Sequence, residues 1–151
     1  MEGLHLSNNM KIVRGNALAE TALSAAKYPA SGSFVDLFGA KRCTIIVHLG
    51  TIHASDTPAF QVESVTAING TPADITGMLH ECAADDDGEF VVFHVDPKFL
   101  TEGHRWLTLD VTDVTNGSYG DIIYLLEMES VPVTQPATVP AASVYSLPSV
   151  A

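Results

Sequence analysis

Asp85-Asp86-Asp87-Gly88-Glu89 is the densest run of oxygen ligands in the chain, and calcium binding is the first chemistry it suggests. A calcium loop needs alternating oxygen ligands around a sharp turn, closed by a distal bidentate carboxylate. Three consecutive aspartates point their side chains apart, so the run reads instead as a solvated Asp-Gly turn. His94 and Asp96 are the next candidates, since two residues apart on a strand they share one face. Such a pair can supply two metal ligands or orient a base. It has no third partner at a recognisable spacing, and the chain contains no His-x-x-x-His. A cross-strand hydrogen bond is therefore the expected fate of this pair. His48 falls inside an apolar run, while His5, His53, His80 and His104 flank loops or tails and read as surface residues.

Nucleophilic chemistry finds no footing either. Gly-x-Ser-x-Gly is absent, and Ser31-Gly32-Ser33 is loop composition only. No glycine-rich phosphate cradle leads into a helix. Cys43 lies in an apolar strand with no base nearby and should be inert. Together Cys43 and Cys82 are too few for a disulfide framework. They read as buried thiols of a protein made in a reducing cytoplasm, with one bridge left open if their strands are neighbours. Trp106, Phe90, Phe93, Tyr119 and Tyr124 alternate with small and β-branched residues. Exposed, they would make a carbohydrate platform; packed, they make the core of a sandwich, and the packed reading is favoured. The expectation is a protein that is not an enzyme, with no catalytic, cofactor-binding or metal-ligating residues and no cofactor.

Composition narrows the partners. With 7 basic against 18 acidic residues in a chain of 151, the net charge is −11. That field repels phosphate, which argues against nucleic acid and against an anionic membrane surface. No apolar run approaches a membrane span, and no basic-then-apolar leader opens the chain. A hydrophobic content of 46% rules out disorder of the whole chain and suffices for a real core.

The elements that must carry these side chains are short and β-rich. Residues 33–38 (SFVDLF) alternate and end at Gly39; 43–50 (CTIIVHLG) are nearly continuously apolar, as in a strand buried on both faces. Residues 59–68 (AFQVESVTAI) put Phe60 and Val62 on one face, before a turn at Asn69-Gly70 that tolerates positive φ. A short strand is expected at 73–76, then 89–96 (EFVVFHVD), stopped by Pro97. In 104–114, Leu107, Leu109 and Val111 share a face. Asn116-Gly117 is the strongest hairpin signal, joining that strand to 118–131, the longest one expected. Only residues 18–27 (LAETALSAAK) suit a helix, and they suit an extended lead-in equally well. The sum predicts an all-β, antiparallel, jelly-roll-like β-sandwich over 31–131, between an N-terminal arm (1–30) and a C-terminal arm (132–151).

Ser130 to Ala151 contains no Asp, Glu, Lys, Arg or His, and four prolines divide it. Proline removes a backbone donor and clashes with the preceding turn, so the segment reads as an extended arm rather than a helix. At roughly 3.1 Å per residue it would reach about 60 Å. Fixing it costs about 1–2 kcal/mol per residue. Apolar burial against a partner is the offset, and Val131, Val133, Val139, Val144, Tyr145, Leu147 and Val150 are the residues able to provide it.

One ordered series of segments resembles the small jelly-roll virion proteins of tailed bacteriophages and phage-like particles. The series runs FVDLF (34–38), IIVHLG (45–50), FQVES (60–64), ADITG (73–77), DDDGEFVVFHVDP (85–97), HRWLTLDVT (104–112) and YGDIIYLLE (119–127). Where such proteins carry Arg-Tyr-Val-Arg, this chain has Arg105-Trp106-Leu107-Thr108. The resemblance covers about two thirds of the chain. It implies a decoration, cement or minor capsid protein bound to the shell of a phage-type head, and the acidic charge suits its outer surface, with the major capsid protein and other copies of itself as partners. A homotrimer or an exchange of arms between copies is the implied assembly. No catalytic residues come with it. A head–tail connector or baseplate part, a jelly-roll carbohydrate-binding module and a cupin-type metalloenzyme are the alternatives, the last requiring a histidine–carboxylate metal site.

Overall fold

Period-two alternation of apolar residues dominates the chain, and the computed structural model, which describes residues 9–16, 21–130 and 133–139, shows it as nine strands. These are β1 (Met10–Arg14), β2 (Ala26–Tyr28), β3 (Val35–Asp36), β4 (Ala40–Leu49), β5 (Ala59–Val65), β6 (Ala73–Glu81), β7 (Phe90–Val95), β8 (Trp106–Thr112) and β9 (Gly120–Met128). A 3₁₀ turn at Pro97–Phe99 follows β7, capped by Asp96. One sheet runs β1-β9-β4-β7 and the other β2-β8-β5-β6, with β3 also on β8. All pairs are antiparallel. Four of them nest in sequence: β1 with β9, β2 with β8, β4 with β7, β5 with β6. A long hairpin rolled on itself gives this nesting, so the sandwich is jelly-roll-like.

Each strand turns one row of side chains inward. Cys43, Ile45, Val47 and Leu49 of β4 meet Val91, Phe93 and Val95 of β7 and Ile122, Tyr124 and Leu126 of β9. Facing them from the second sheet are Phe60, Val62, Leu107, Leu109 and Val111, all fully buried. Burying each such side chain favours folding by about 1.5–3 kcal/mol. Tyr124 also ties the layers together, because its hydroxyl donates to the Tyr28 carbonyl at 2.5 Å. Removed from water and from any partner cation, that phenol is pushed well above its ordinary range, chiefly by burial.

Several sequence expectations change here. Of the 18–27 run, residues 21–27 take the extended alternative rather than the helix and 18–20 lie outside the described residues, while the N-terminal segment expected as an arm supplies β1 and β2 to the two sheets. β4 is not buried on both faces: Thr44 and Ile46 are half-buried and His48 is exposed. At ten residues it is also longer than β9. The strand expected at 73–76 continues to Glu81, passing Gly77 at φ +81°, where the register with β5 shifts. The 33–38 run contracts to Val35–Asp36, since Asp36 Oδ1 accepts from Phe38 N–H and turns the chain. Gly70 does not have positive φ; its N–H simply closes a turn on the Ala67 carbonyl. Most consequentially, Asn116-Gly117 makes no hairpin. Gly117 does adopt φ +95°, but the turn carries the chain across the sandwich, from β8 in one sheet to β9 in the other.

Candidate assembly surface

The described ends of the chain meet at one sheet edge. β1 lies at the margin of its sheet, paired on one side with β9. That pairing continues past Arg14: Gly15 N–H donates to the Ile122 carbonyl at 2.7 Å. A Cβ on Gly15 would sit 2.5 Å from Ile122 Cγ2, so only glycine lets the backbones approach this closely. Asn16, buried, then uses its amide like a further strand residue. Its Nδ2 donates to the Gly120 carbonyl at 2.8 Å and its Oδ1 accepts from Ile122 N–H at 3.1 Å. On the other side of β1 a second amide does the same. Gln135 Oε1 accepts from Ile12 N–H at 3.0 Å, and Gln135 Nε2 donates to the Met10 carbonyl at 2.6 Å. One side chain of the C-terminal segment thus stands where a neighbouring strand would bond. Val133 and Val139 flank it, half-buried, with a turn closed by Val139 N–H on the Pro136 carbonyl at 2.8 Å. Val131, Val144, Tyr145, Leu147 and Val150 lie outside the described residues.

Apolar side chains also face outward. On the outer face of the four-stranded sheet, Phe90 is 64% exposed, and Val92 and Ile123 flank half-buried Ile46 in register. The His48 ring stacks on Phe90, centroids 4.5 Å apart. Phe38 and Phe99 are exposed at 74% and 85%. Phe93 and Tyr124 occupy the core as expected, but Phe90 does not, because it precedes Val91, the first inward residue of β7. Tyr119 is partly exposed and Trp106 half-buried. The Arg105 guanidinium lies over both Phe38 and Trp106, 4.8 and 5.1 Å from the ring centroids. Arg105 also holds Asp36 in a two-pronged ion pair, both contacts at 2.6 Å, which pulls that carboxyl below its usual range. One face of half-buried Trp106 is therefore taken by Arg105. Thr108, where the resembling proteins have a second arginine, is fully buried and donates to the Pro29 carbonyl at 2.7 Å.

Comparison adds no relative: no protein-family model, curated protein or solved structure matches the chain. The remaining reading rests on its own side chains. His94 Nδ1 meets Thr44 Oγ1 across the β4–β7 pair at 3.2 Å, the cross-strand bond expected of it. Asp96 instead caps the 3₁₀ turn, accepting from Lys98 N–H at 3.0 Å. The two do not converge on a common point through any bond of their own. Asp86 and Asp87 diverge as expected, Asp86 Oδ2 accepting from Ala83 N–H and Asp87 Oδ1 from Ile52 N–H, both at 2.7 Å. Both cysteines are free and buried, and burial pushes the thiols up, to about 12 for Cys43 and about 11 for Cys82.

Other groupings of side chains escaped the sequence reading. Ser64 Oγ and His104 Nδ1 are 2.7 Å apart on the lining of a small open pocket, with Ser64 buried and no carboxylate bonded to His104 among the described residues. Lys27 Nζ bridges Glu63 (2.5 Å) and Asp110 (3.3 Å) on the outer face of the second sheet. Burial drives the Glu63 carboxyl up against the pull of Lys27, and Asp110 and Asp74 add to that rise. An open groove of about 620 Å³ between the ends of β4 and β7 gathers Lys41, Arg42 and Lys98, three of the seven basic residues. Only their folded positions reveal this grouping.

Proposed function

We propose that this chain is a structural virion protein, a decoration or cement protein that binds the outer surface of a tailed-phage-type head and stabilises it through extended arms. Its partners are the major capsid protein and further copies of itself, arranged as a trimer, and it joins the particle after synthesis in the host cytoplasm. The observation that carries this reading is the clasp of Gln135 on the outer edge of β1. An edge strand is a template for another strand, and here the chain's own C-terminal segment already reaches that template with one side chain. The amide bonds Ile12 N–H and the Met10 carbonyl of that edge, and a strand from a neighbour would replace these bonds with a full ladder.

Charge and surface agree. A net charge of −11 suits a component that faces solvent rather than the packaged genome. Phe38, Phe90 and Phe99 are large apolar groups that stay mostly exposed, of the type that interfaces bury. Repeated weak contacts around a symmetry axis add up by avidity, so no single high-affinity site is required. The experiment is a truncation that removes residues 132–151, followed by measurement of copies per purified head. The full chain is expected at full occupancy and the truncated chain below about a tenth of it, in line with the loss of multivalent attachment. Undiminished occupancy of a folded, truncated chain would overturn the reading.

A further inference from the structure

β6 ends at Glu81, just where the chain enters the acidic turn. His80 and Cys82 are two residues apart on this extended stretch and therefore project to the same side. Cys82 N–H is fixed on the Pro58 carbonyl at 2.8 Å, so the strand pairing carries on through it. The turn then doubles back: Asp86 Oδ2 accepts from Ala83 N–H at 2.7 Å and Asp86 N–H donates to the Ala83 carbonyl at 3.3 Å. This places an imidazole nitrogen of His80, the Cys82 sulfur and a carboxylate oxygen of Asp86 all within 4.8 Å of one another. Neither the His80 ring, the Cys82 sulfur nor Asp86 Oδ1 has a hydrogen-bond partner among the described residues.

We infer that His80, Cys82 and Asp86 form a binding site for a divalent cation of the zinc class, with water as the fourth ligand. The donor set selects the metal. Calcium and magnesium take oxygen ligands, whereas a sulfur and an imidazole beside one carboxylate suit zinc. Tetrahedral zinc holds such donors about 3.3–3.8 Å apart, so the three groups need a further approach that exposed His80 can provide by side-chain rotation. On binding, the Cys82 S–H bond breaks, its proton goes to solvent, and the sulfur electron pair forms the bond to the metal. No change of oxidation state is involved. The charge of Glu89 also acts on Cys82, and Asp85 and Asp87 adjoin Asp86 in sequence, adding negative charge that favours a cation. The bound ion would pin the acidic turn to the end of an edge strand. This site does not depend on the virion reading.

The full-length protein, reduced and stripped with chelator, is titrated with cobalt(II) chloride as an optical stand-in for zinc. One equivalent is expected to produce a thiolate-to-cobalt charge-transfer absorption and the intense visible bands of tetrahedral cobalt, and zinc chloride should then bleach both. Cys82→Ser should abolish the charge-transfer absorption. His80→Ala changes an exposed residue and so keeps the fold; it should weaken cobalt binding by at least about tenfold, since even outer-shell losses cost that much. A wild-type protein that gives no charge-transfer absorption overturns the site. So does absorption that survives Cys82→Ser, or a His80→Ala protein that binds as tightly as the wild type.

Discussion

Asp56 shows how a single carboxylate can hold two loops without a cation. It is 1% exposed, and it accepts from Ser118 Oγ (2.7 Å), Asn116 Nδ2 (2.8 Å), Thr115 N–H (3.1 Å) and Asn116 N–H (3.2 Å). Burial pushes its carboxyl up, but the bonds from Ser118, Asn116 and Thr115 outweigh burial and hold it well below the ordinary 3.8. A folded-state value below the unfolded one means stability that is complete above the unfolded value and is lost as pH falls below it. Unfolding by denaturant between about pH 6 and pH 2 should therefore show stability declining on acidification. Asp56→Asn should be less stable near neutrality and should show a shallower decline; an unchanged slope would remove Asp56 as the cause. Nothing in the sequence announces this role. Asp56 sits in an ordinary polar loop, and its partners lie 59 to 62 residues further on. His80, Cys82 and Asp86 are closer in sequence, but their convergence needed the bend of the turn. His94 was legible because its bond is made within a strand pair, where alternation fixes the facing residue.

At the level of the element, legibility followed the strength of alternation. β5, β7, β8 and β9 were visible because buried Phe60, Phe93, Leu109 and Tyr124 each sit in a regular two-residue pattern. β1 and β2 were not: they are five and three residues long, half-buried throughout or nearly so, and β2 opens with an alanine that fits a helix as well. Asn116-Gly117 announced a turn correctly and its partners wrongly. Local backbone preference sets the turn, but which sheet receives the next strand depends on the Asp56 anchor and on the core. The edge of β1 offers a direct test of one such non-local contact. Gln135→Ala should remove these two hydrogen bonds, each worth about 1 kcal/mol net, and speed amide exchange at Ile12. Exchange at Val62, at the centre of the second sheet, should stay as in the wild type. If Ile12 exchanges no faster in the variant, the clasp contributes nothing to that edge.

The whole molecule is an acidic jelly-roll-like sandwich, with exposed aromatic side chains and its described ends together at one edge. Fold alone assigns no role, since jelly rolls serve capsids, lectins and cupins alike. The proposed reading draws on particular side chains. Trp106 has a cation on its ring, the His94–Asp96 pair is spent on structural bonds, and the C-terminal segment reaches a strand edge. In the proposed assembly residues 132–151 exert their effect on a neighbour's surface. Amide exchange of the full chain, free and on purified heads, addresses it most directly. Residues 141–147 are expected to gain protection only on the particle, together with the β1 edge. Equal protection of those amides in the free monomer would contradict the account.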